Sequence, residues 1–179
     1  MKLAAKALRV SEPTKSDIAA IGRRPIYIVC DNVLDTYNIG SIFRLADSVA
    51  ASKVYLCGKS ETPPNSRIAK ASVGTDKWVP WQYFSSAKEA ISNIKSQISN
   101  VKVIAIEQST KAIDFRKANY QPSTIIHELP IAFVVGHETD GVSKKALKLC
   151  DEVVEIPMFG VNKSLNVMVS LSIVLYRNI

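Results

Sequence analysis

Short runs of apolar residues recur along the chain, separated by polar loops and by segments with helical spacing. Five such runs predict β-strands, at 26–30, 53–57, 101–106, 130–135 and 151–156. Runs that are apolar on both faces are typical of parallel strands covered on both sides. Between the strands, segments whose apolar residues recur at helical spacing predict helices that start at Asn38, Ser86 and Ser143. The alternation predicts an α/β three-layer sandwich with a mainly parallel sheet.

The last quarter of the chain predicts a strand, a loop and an apolar C-terminal helix. A strand that ends at Ile156 leads into a loop, and Ser164 is a candidate N-cap for a helix that begins at Leu165. This helix is apolar on every face, so it must be buried on all sides. One small domain covers only one side of a terminal helix. The pattern therefore predicts that a second copy of the chain covers the other side.

The segment 58–81 contains several prolines and glycines and is predicted to be irregular, and loops of this length are usually functional or disordered. Two lysines, Lys70 and Lys77, are interleaved with Trp78 and Trp81. Basic and aromatic residues in this arrangement can contact RNA through charge and stacking. The alternative is that both tryptophan rings pack into the core.

The chain is basic. Its 179 residues carry a net charge of +7 with a pI near 9.3, and this excess suits a polyanionic partner. Residues 1–25 hold six of the lysines and arginines against Glu12 and Asp17. We interpret 1–25 as a partly helical basic arm that contacts phosphates, and 26–179 as the folded domain. The alternative for the arm is an ordinary solvated surface segment.

Several classes of site and location are disfavoured. Three cysteines without a CxxC pair indicate free thiols in a reducing cytoplasm. The two histidines, His127 and His137, have no ligand-like spacing, so no metal is expected. No uninterrupted apolar run reaches membrane-spanning length, and no membrane partner is expected.

Polar residues follow three of the predicted strands, in loops that leave the same carboxyl edge of a parallel sheet and can therefore converge. None of these loops carries a dinucleotide-binding GxGxxG, a P-loop or a serine nucleophile elbow. The loops instead read NIGSIFRLAD at 38–47, VVGHETDGVS at 134–143 and IPMFGVNKSLNV at 156–167. The three motifs, in this order, resemble those of the SpoU/TrmH family of RNA ribose 2′-O-methyltransferases in the SPOUT superfamily.

The resemblance implies a fold, a cofactor and partners. The fold of the family has a deep C-terminal trefoil knot, an exception to the unknotted topology of most proteins. The implied cofactor is S-adenosyl-L-methionine and the implied substrate is RNA, with tRNA favoured over rRNA. Family members are homodimers that pack around the first-motif helix and the C-terminal helix. A cytoplasmic enzyme without metal or membrane partners is expected.

The resemblance also assigns roles to residues. Catalytic or substrate-binding roles fall on Arg44, Asn38, Glu138, Ser164 and Asn166. Cofactor contacts, chiefly through the backbone, fall on Gly136, Ile156 and Leu165, with Met158 and Gly160 nearby. In the family the arginine of the first motif is the proposed proton acceptor. Because arginine is normally always protonated, a phosphate clamp is the alternative, and the residue can serve the partner's site.

Structural or surface roles, without a part in catalysis, remain open for the same residues. Arg44 can be an exposed helix arginine, and Asn38 and Ser164 can be plain N-caps. His137 is expected to be incidental. The motifs also leave open which nucleotide is methylated, whether rRNA is the substrate, and whether the chain is a non-catalytic RNA-binding or assembly protein with the same fold.

Overall fold

The computed structural model of the protein describes residues 12–118 and 129–177. In these ranges the chain forms seven strands and six α-helices. The strands are β1 Arg24–Asp31, β2 Ala51–Cys57, β3 Trp81–Phe84, β4 Lys102–Ile106, β5 Ile113–Asp114, β6 Ile131–Gly136 and β7 Glu152–Glu155. The helices are α1 Lys15–Ala19, α2 Thr36–Ser48, α3 Ser66–Ser72, α4 Ala87–Gln97, α5 Lys144–Leu147 and α6 Val167–Tyr176.

The strands form one sheet in the order β3-β2-β1-β6-β4-β7-β5, and every strand pairing is parallel. The predicted α/β class with a mainly parallel sheet is confirmed. Strand β1 lies between β2 and β6, and its last residue, Asp31, aligns with Cys57 on one side and with Gly136 on the other. The carboxyl ends of β1, β6, β4 and β7 are therefore consecutive along one edge of the sheet.

Two apolar cores lie on the two faces of this sheet. The first core contains the buried faces of α2 and α6, together with Ile68 of α3. The second core contains Ala87, Ala90, Ile91 and Ile94 of α4 and Ala146 of α5. Strand residues alternate between the cores: Ile28 and Cys30 belong to the first, and Val29 belongs to the second. This alternation explains why β1 is a continuous apolar run in the sequence.

The prediction of an irregular segment at 58–81 was wrong for 66–72 and 75–77, whereas 58–65 and 78–80 are irregular. Helix α3 occupies part of it, with Asn65 as the N-cap, and a 3₁₀ turn follows at Thr75–Lys77. Helix α3 packs closely on α2, and the absence of a side chain at Gly40 permits this approach. A Cβ at Gly40 would lie only 2.5 Å from the carbonyl oxygen of Ile68. Both tryptophans pack against the first core, so the core interpretation of these rings is the correct one.

Two strands were missing from the prediction because they lie at the edges of the sheet. Strand β3 contacts only β2, and β5 contacts only β7. An edge strand buries less of its surface, so it lacks a continuous apolar run, and Gln82 and Tyr83 of β3 are exposed. The segment between β4 and β6 contains β5, and its residues 119–128, including His127, lie outside the described ranges.

Two predicted helix starts were also wrong, and side-chain caps explain both. Helix α2 begins before Asn38, because the Asp35 carboxylate accepts a hydrogen bond from the Tyr37 amide at 2.8 Å. Helix α6 begins at Val167, because the Asn166 side chain caps it in place of Ser164. The N-caps of α4 and α5, Ser86 and Ser143, are as predicted.

Helix α6 is covered on one side only. Leu171, Val174 and Leu175 are fully buried, whereas Ile173 and Tyr176 are 36% and 51% exposed. The predicted burial on all sides is therefore not met within one copy of the chain, and an apolar face remains open. Among the described helices, none combines the length and the apolar character that a membrane span requires.

Only part of the predicted basic arm can be compared with the structure, because residues 1–11 lie outside the described ranges. The described part contains α1, which starts with a capping box formed by Thr14 and Asp17. The free cysteines fit the prediction for the described chain: Cys30 and Cys57 are buried. Burial raises the pKa of Cys30 to about 12, so this thiol is unreactive at neutral pH.

Candidate active site

A cavity of about 490 Å³ opens at the carboxyl edge of the sheet, above β6, β4 and β7. Its volume falls within the usual range for small-molecule sites. Residues from the loops after all three strands line it: Ile106, Glu107, Gln108, Val135, Gly136, His137, Glu138, Thr139, Gly141, Glu155, Ile156, Met158, Asn162, Ser164, Leu165, Asn166, Val167 and Ser170. The cavity lies where open parallel sheets usually bind ligands.

Glu138 joins the loop after β6 to the start of α2. Its Oε1 accepts hydrogen bonds from the Asp35 amide and from Nδ2 of Asn38, both at 3.0 Å. Its Oε2 accepts a third from the Leu34 amide at 3.2 Å. Both carboxylate oxygens are thus engaged, and the side chain fixes the position of the first loop relative to the second.

Asn38 and Asn166 extend this network to the third loop. Asn38 is 7% exposed, and its Oδ1 accepts a hydrogen bond from Nδ2 of Asn166 at 2.9 Å. The Oδ1 of Asn166 accepts from the Met168 amide at 2.9 Å and so caps α6. A buried amide requires partners, and here each amide group binds the other motifs. The expected convergence of the three loops is confirmed by this chain of hydrogen bonds.

The network sets the charge of Glu138. Partial burial acts to raise its pKa, but the hydrogen bonds from Asn38, Asp35 and Leu34 together outweigh burial and lower the pKa from its ordinary value of 4.5. The group is therefore an anion at neutral pH. With its oxygens occupied by donors, it is suited to holding the loops together rather than to accepting a proton.

Replacing Glu138 by glutamine should weaken the fold in a pH-dependent way. Because the folded-state pKa is lowered, the stabilisation is complete above pH 4.5 and is lost as the pH falls through the folded value. At neutral pH we expect E138Q to lose about 1 kcal/mol of unfolding free energy, since the group is largely exposed. Urea unfolding of both proteins at pH 7 and pH 3 should show this difference shrinking in acid.

The matched control is Glu61→Gln, which changes an exposed carboxylate for which the described residues provide no hydrogen bond. Its effect should be small and the same at both pH values. A difference between wild type and E138Q that stays constant from pH 7 to pH 3 would contradict the assigned role of the hydrogen bonds.

A tight turn presents Glu138. The amide of His137 donates to the carbonyl of Gly141 at 3.1 Å, and the amide of Gly141 donates back at 2.9 Å. Nδ1 of His137 accepts from the Thr139 and Asp140 amides, so this ring stabilises the turn. His137 was expected to be incidental to function, but its side chain has a structural role in stabilising this turn. The turn folds directly over Gly136, where a Cβ would lie 2.1 Å from the carbonyl carbon of Gly141.

Two carboxylates that the sequence analysis did not single out hold the end of this turn. Oε2 of Glu107 accepts from the Val142 amide at 2.7 Å, and Oδ2 of Asp31 accepts from the Ser143 amide at 2.8 Å. Glu107 also lines the cavity. Each carboxylate lies at the carboxyl end of an apolar strand, β4 or β1. Glu107 is therefore a polar residue directly after an apolar strand, and this is the pattern that identified the three motif loops.

The third loop contributes most of the predicted cofactor contacts to the cavity wall. Ile156, Met158, Ser164 and Leu165 all line it. Gly160 does not line the cavity, and no atom lies within 4 Å of the position that its Cβ would take. The structure therefore brings four of the five predicted cofactor residues to the cavity, counting Gly136 of the second loop.

Arg44 is the one predicted catalytic residue that lies apart from both the cavity and the hydrogen-bond network. It belongs to α2 and is exposed, with no hydrogen bond or ion pair to any residue in the described ranges. Arg44 is six positions after Asn38 along the helix, which places the two side chains about 120° apart around its axis. Within one copy of the chain, Arg44 does not line the cavity.

The sequence model of the SpoU rRNA methylase family matches residues 25–176. The tRNA (guanosine(18)-2′-O)-methyltransferase of Escherichia coli is 32% identical over 159 residues, which cover 87% of this chain and 63% of that protein. The enzyme of the same name from Thermus thermophilus is 29% identical over 156 residues, covering 87% of this chain and 75% of the relative. The chain thus spans less than two thirds of the Escherichia coli protein.

A solved structure has the same architecture. The A. aeolicus TrmH/SpoU tRNA modifying enzyme superposes with a TM-score of 0.75 at 25% identity, covering 97% of this chain and 79% of that one. The three motifs, the parallel sheet and the family match agree with one another. The chain belongs to the SpoU rRNA methylase family.

Proposed function

We propose that this protein transfers a methyl group from S-adenosyl-L-methionine to a ribose 2′-hydroxyl in structured RNA, with tRNA as the favoured substrate. The observation that carries the proposal is the hydrogen-bond chain from Glu138 through Asn38 to Asn166. This chain links the first motif to the second and third motifs, whose residues Glu138 and Asn166 line the cavity. Support for tRNA comes from the Escherichia coli and Thermus relatives, which are named as tRNA 2′-O-methyltransferases.

The lining of the cavity supports the proposed cofactor. The side chains of Ile156, Met158 and Leu165 supply apolar walls for an adenine ring, and Gly136, packed against the backbone of Gly141, contributes to the lining through its own backbone. When bound, the cofactor supplies an electrophilic methyl group. The polar side of the cavity, with Ser164 and Asn166, is then left to orient the ribose, since methyl transfer depends chiefly on positioning.

Proton removal from the 2′-hydroxyl needs a base or a strong electrostatic partner. Both oxygens of Glu138 are engaged, and Glu107 binds the Val142 amide. We propose that Arg44 of a second copy reaches the cavity, where it acts on the hydroxyl or on the adjacent phosphate. The exposure of Arg44, away from its own cavity, supports an action on the partner's site.

The same proposal includes a homodimer and the knotted form of the fold. The open apolar face of α6, with Val169, Ile173 and Tyr176 exposed, supports a second copy as its cover. Helix α6 packs on α2, so this interface would also present Arg44. We further propose that the C-terminal segment passes through a loop to form the trefoil knot, and that the protein acts in the cytoplasm, where its cysteines stay reduced.

The proposal is tested by incubating the purified protein with tritium-labelled S-adenosyl-L-methionine and either unmodified bulk tRNA or rRNA. Label should enter tRNA in preference to rRNA. Incorporation into rRNA alone would reassign the substrate. Absence of label in both, with RNA binding that strengthens at low salt, would favour the alternative of a non-catalytic RNA-binding protein.

A further inference from the structure

Helix α5 carries a concentration of positive charge that the proposed chemistry does not use. Its sequence contributes Lys144 and Lys145, and Lys148 follows directly at the C-cap. These lysines lie at the surface, and residues 143–150 contain no acidic residue. We call these three residues the lysine face. No other described helix of the fold concentrates three lysines without an acidic residue in this way.

The packing of α5 directs these lysines outward. Ala146 is fully buried in the second core, and Leu147 packs against it. At 100° per residue, Lys144 and Lys148 lie about 160° from Ala146 and thus point away from the protein. Lys145 lies to one side, where it lines a shallow groove of about 570 Å³ with Lys88 and Asn93 of α4.

The position of the lysine face is fixed relative to the cavity. Hydrogen bonds from the Val142 and Ser143 amides to Glu107 and Asp31 anchor the segment that leads into α5. Gly141 lines the cavity, and Lys144 follows Gly141 three residues later along the chain. Three residues span at most about 11 Å, which corresponds to roughly three nucleotides along one strand of a duplex.

We propose that the lysine face binds the phosphate backbone of the RNA on one side of the nucleotide that enters the cavity. This inference rests on the proposed RNA substrate and adds a location for its contacts. Lysine ammonium groups bind phosphates as point charges, and the net charge of +7 favours a polyanion. The surface belongs to the opposite layer from the open apolar face of α6, so a second copy covering that face leaves it free.

The side chains around the lysine face do not suit other acidic partners equally well. A membrane-bound helix needs exposed apolar side chains beside its lysines. Protein interfaces likewise use aromatic or large apolar anchors. Helix α5 exposes neither, since its only large apolar side chain is Leu147, which is partly buried. The groove beside Lys145 is lined by Ser86, Lys88, Glu89, Ser92 and Asn93 and by one large apolar side chain, the half-buried Phe84, which packs against the second core.

The test compares two double variants that remove the same charge from different parts of the fold. K144Q/K148Q alters the lysine face, and K59Q/R67Q alters two exposed cations, one just after the end of β2 and one in α3. The probe is an unmodified tRNA transcript, and its dissociation constant is measured for each protein at several salt concentrations. K144Q/K148Q should bind about tenfold more weakly at low salt, with a salt slope reduced by about 1.8, as expected for two lost phosphate contacts.

Binding of S-adenosyl-L-methionine, measured by calorimetry, should be unchanged in both variants, which shows that the cavity is intact. An unchanged affinity and slope for tRNA in K144Q/K148Q would overturn the proposal. Equal losses in the two variants would also overturn it, because the RNA would then respond to net charge alone. A loss confined to phosphatidylserine vesicles, with tRNA affinity unchanged, would assign the surface to membranes instead.

The outcome separates this inference from the proposed function. Weaker tRNA binding by K144Q/K148Q supports the lysine face even if no methyl transfer is detected. If transfer does occur, the variant should raise the KM for tRNA and leave kcat at saturating tRNA unchanged. Methyl transfer with an unchanged KM in K144Q/K148Q would retain the function and reject the lysine face.

Discussion

A single added methyl group at Gly136 is expected to weaken cofactor binding by at least about 100-fold. The Cβ of G136A would lie 2.1 Å from the carbonyl carbon of Gly141 and 2.2 Å from the amide nitrogen of Val142. These are backbone atoms of the turn that carries Glu138, so the turn itself must move, by about 1 Å to restore ordinary contact distances. Overpacking of this kind costs about 1–3 kcal/mol of stability. The displaced turn also withdraws Glu138 from Asn38, and the loops lose their alignment.

Calorimetry should show the affinity of G136A for S-adenosyl-L-methionine reduced by at least about 100-fold, since a displacement of about 1 Å disrupts a positioned site. The matched control is Gly22→Ala, because nothing lies within 4 Å of the Cβ position at Gly22. G22A should bind the cofactor as the wild type does. A G136A protein with wild-type affinity would show that the turn over Gly136 is not part of the cofactor site.

Replacement of Arg44 by alanine is expected to lower kcat/KM for tRNA by about 10³-fold, the size of effect typical when a group that assists proton transfer is lost. Because Arg44 is exposed and lies outside its own cavity, the change should leave stability and cofactor affinity unaltered. Arg67→Ala, which changes another exposed helix arginine, is the matched control and should stay within about threefold of wild type.

The variant Arg44→Lys distinguishes the two roles that remain open for this residue. A phosphate clamp is partly replaced by lysine, so KM should recover, whereas a proton-accepting role should leave kcat low. Mixed dimers test whether Arg44 acts across the interface. R44A combined with N166A should regain about a quarter of wild-type activity, since half of the random dimers contain one complete site. No recovery would place Arg44 in its own subunit's site.

The central strands and the three motif loops could be predicted from the sequence because physical demands coincide there. A central parallel strand needs apolar residues on both faces, so β1 and β6 appear as continuous runs. Polar residues directly after such runs must lie at the carboxyl edge, where Asn38, Glu138 and Asn166 do meet. Their mutual hydrogen bonds, however, depend on a register between distant strands that no local pattern contains.

The errors occurred where local chemistry competes with periodicity. Asp35 and Asn166 cap their helices because a side-chain oxygen of each accepts a hydrogen bond from a backbone amide in the first turn. The spacing of the apolar residues does not indicate which residue will be the N-cap. Strand β3 was missed because an edge strand need not be apolar. Arg44 lies in the predicted motif, yet its distance from the cavity follows from the helical turn between Asn38 and Arg44, and only a dimer would bring it to a site.

The most direct test of the central claim is chemical identification of the product. An unmodified tRNA transcript is incubated with the protein and S-adenosyl-L-methionine, digested to nucleosides and analysed by mass spectrometry. The account predicts a nucleoside methylated on the ribose 2′-oxygen, formed by the wild type and not by the Arg44→Ala variant. A methyl group on a base, or no methylated nucleoside from tRNA or rRNA, would contradict it.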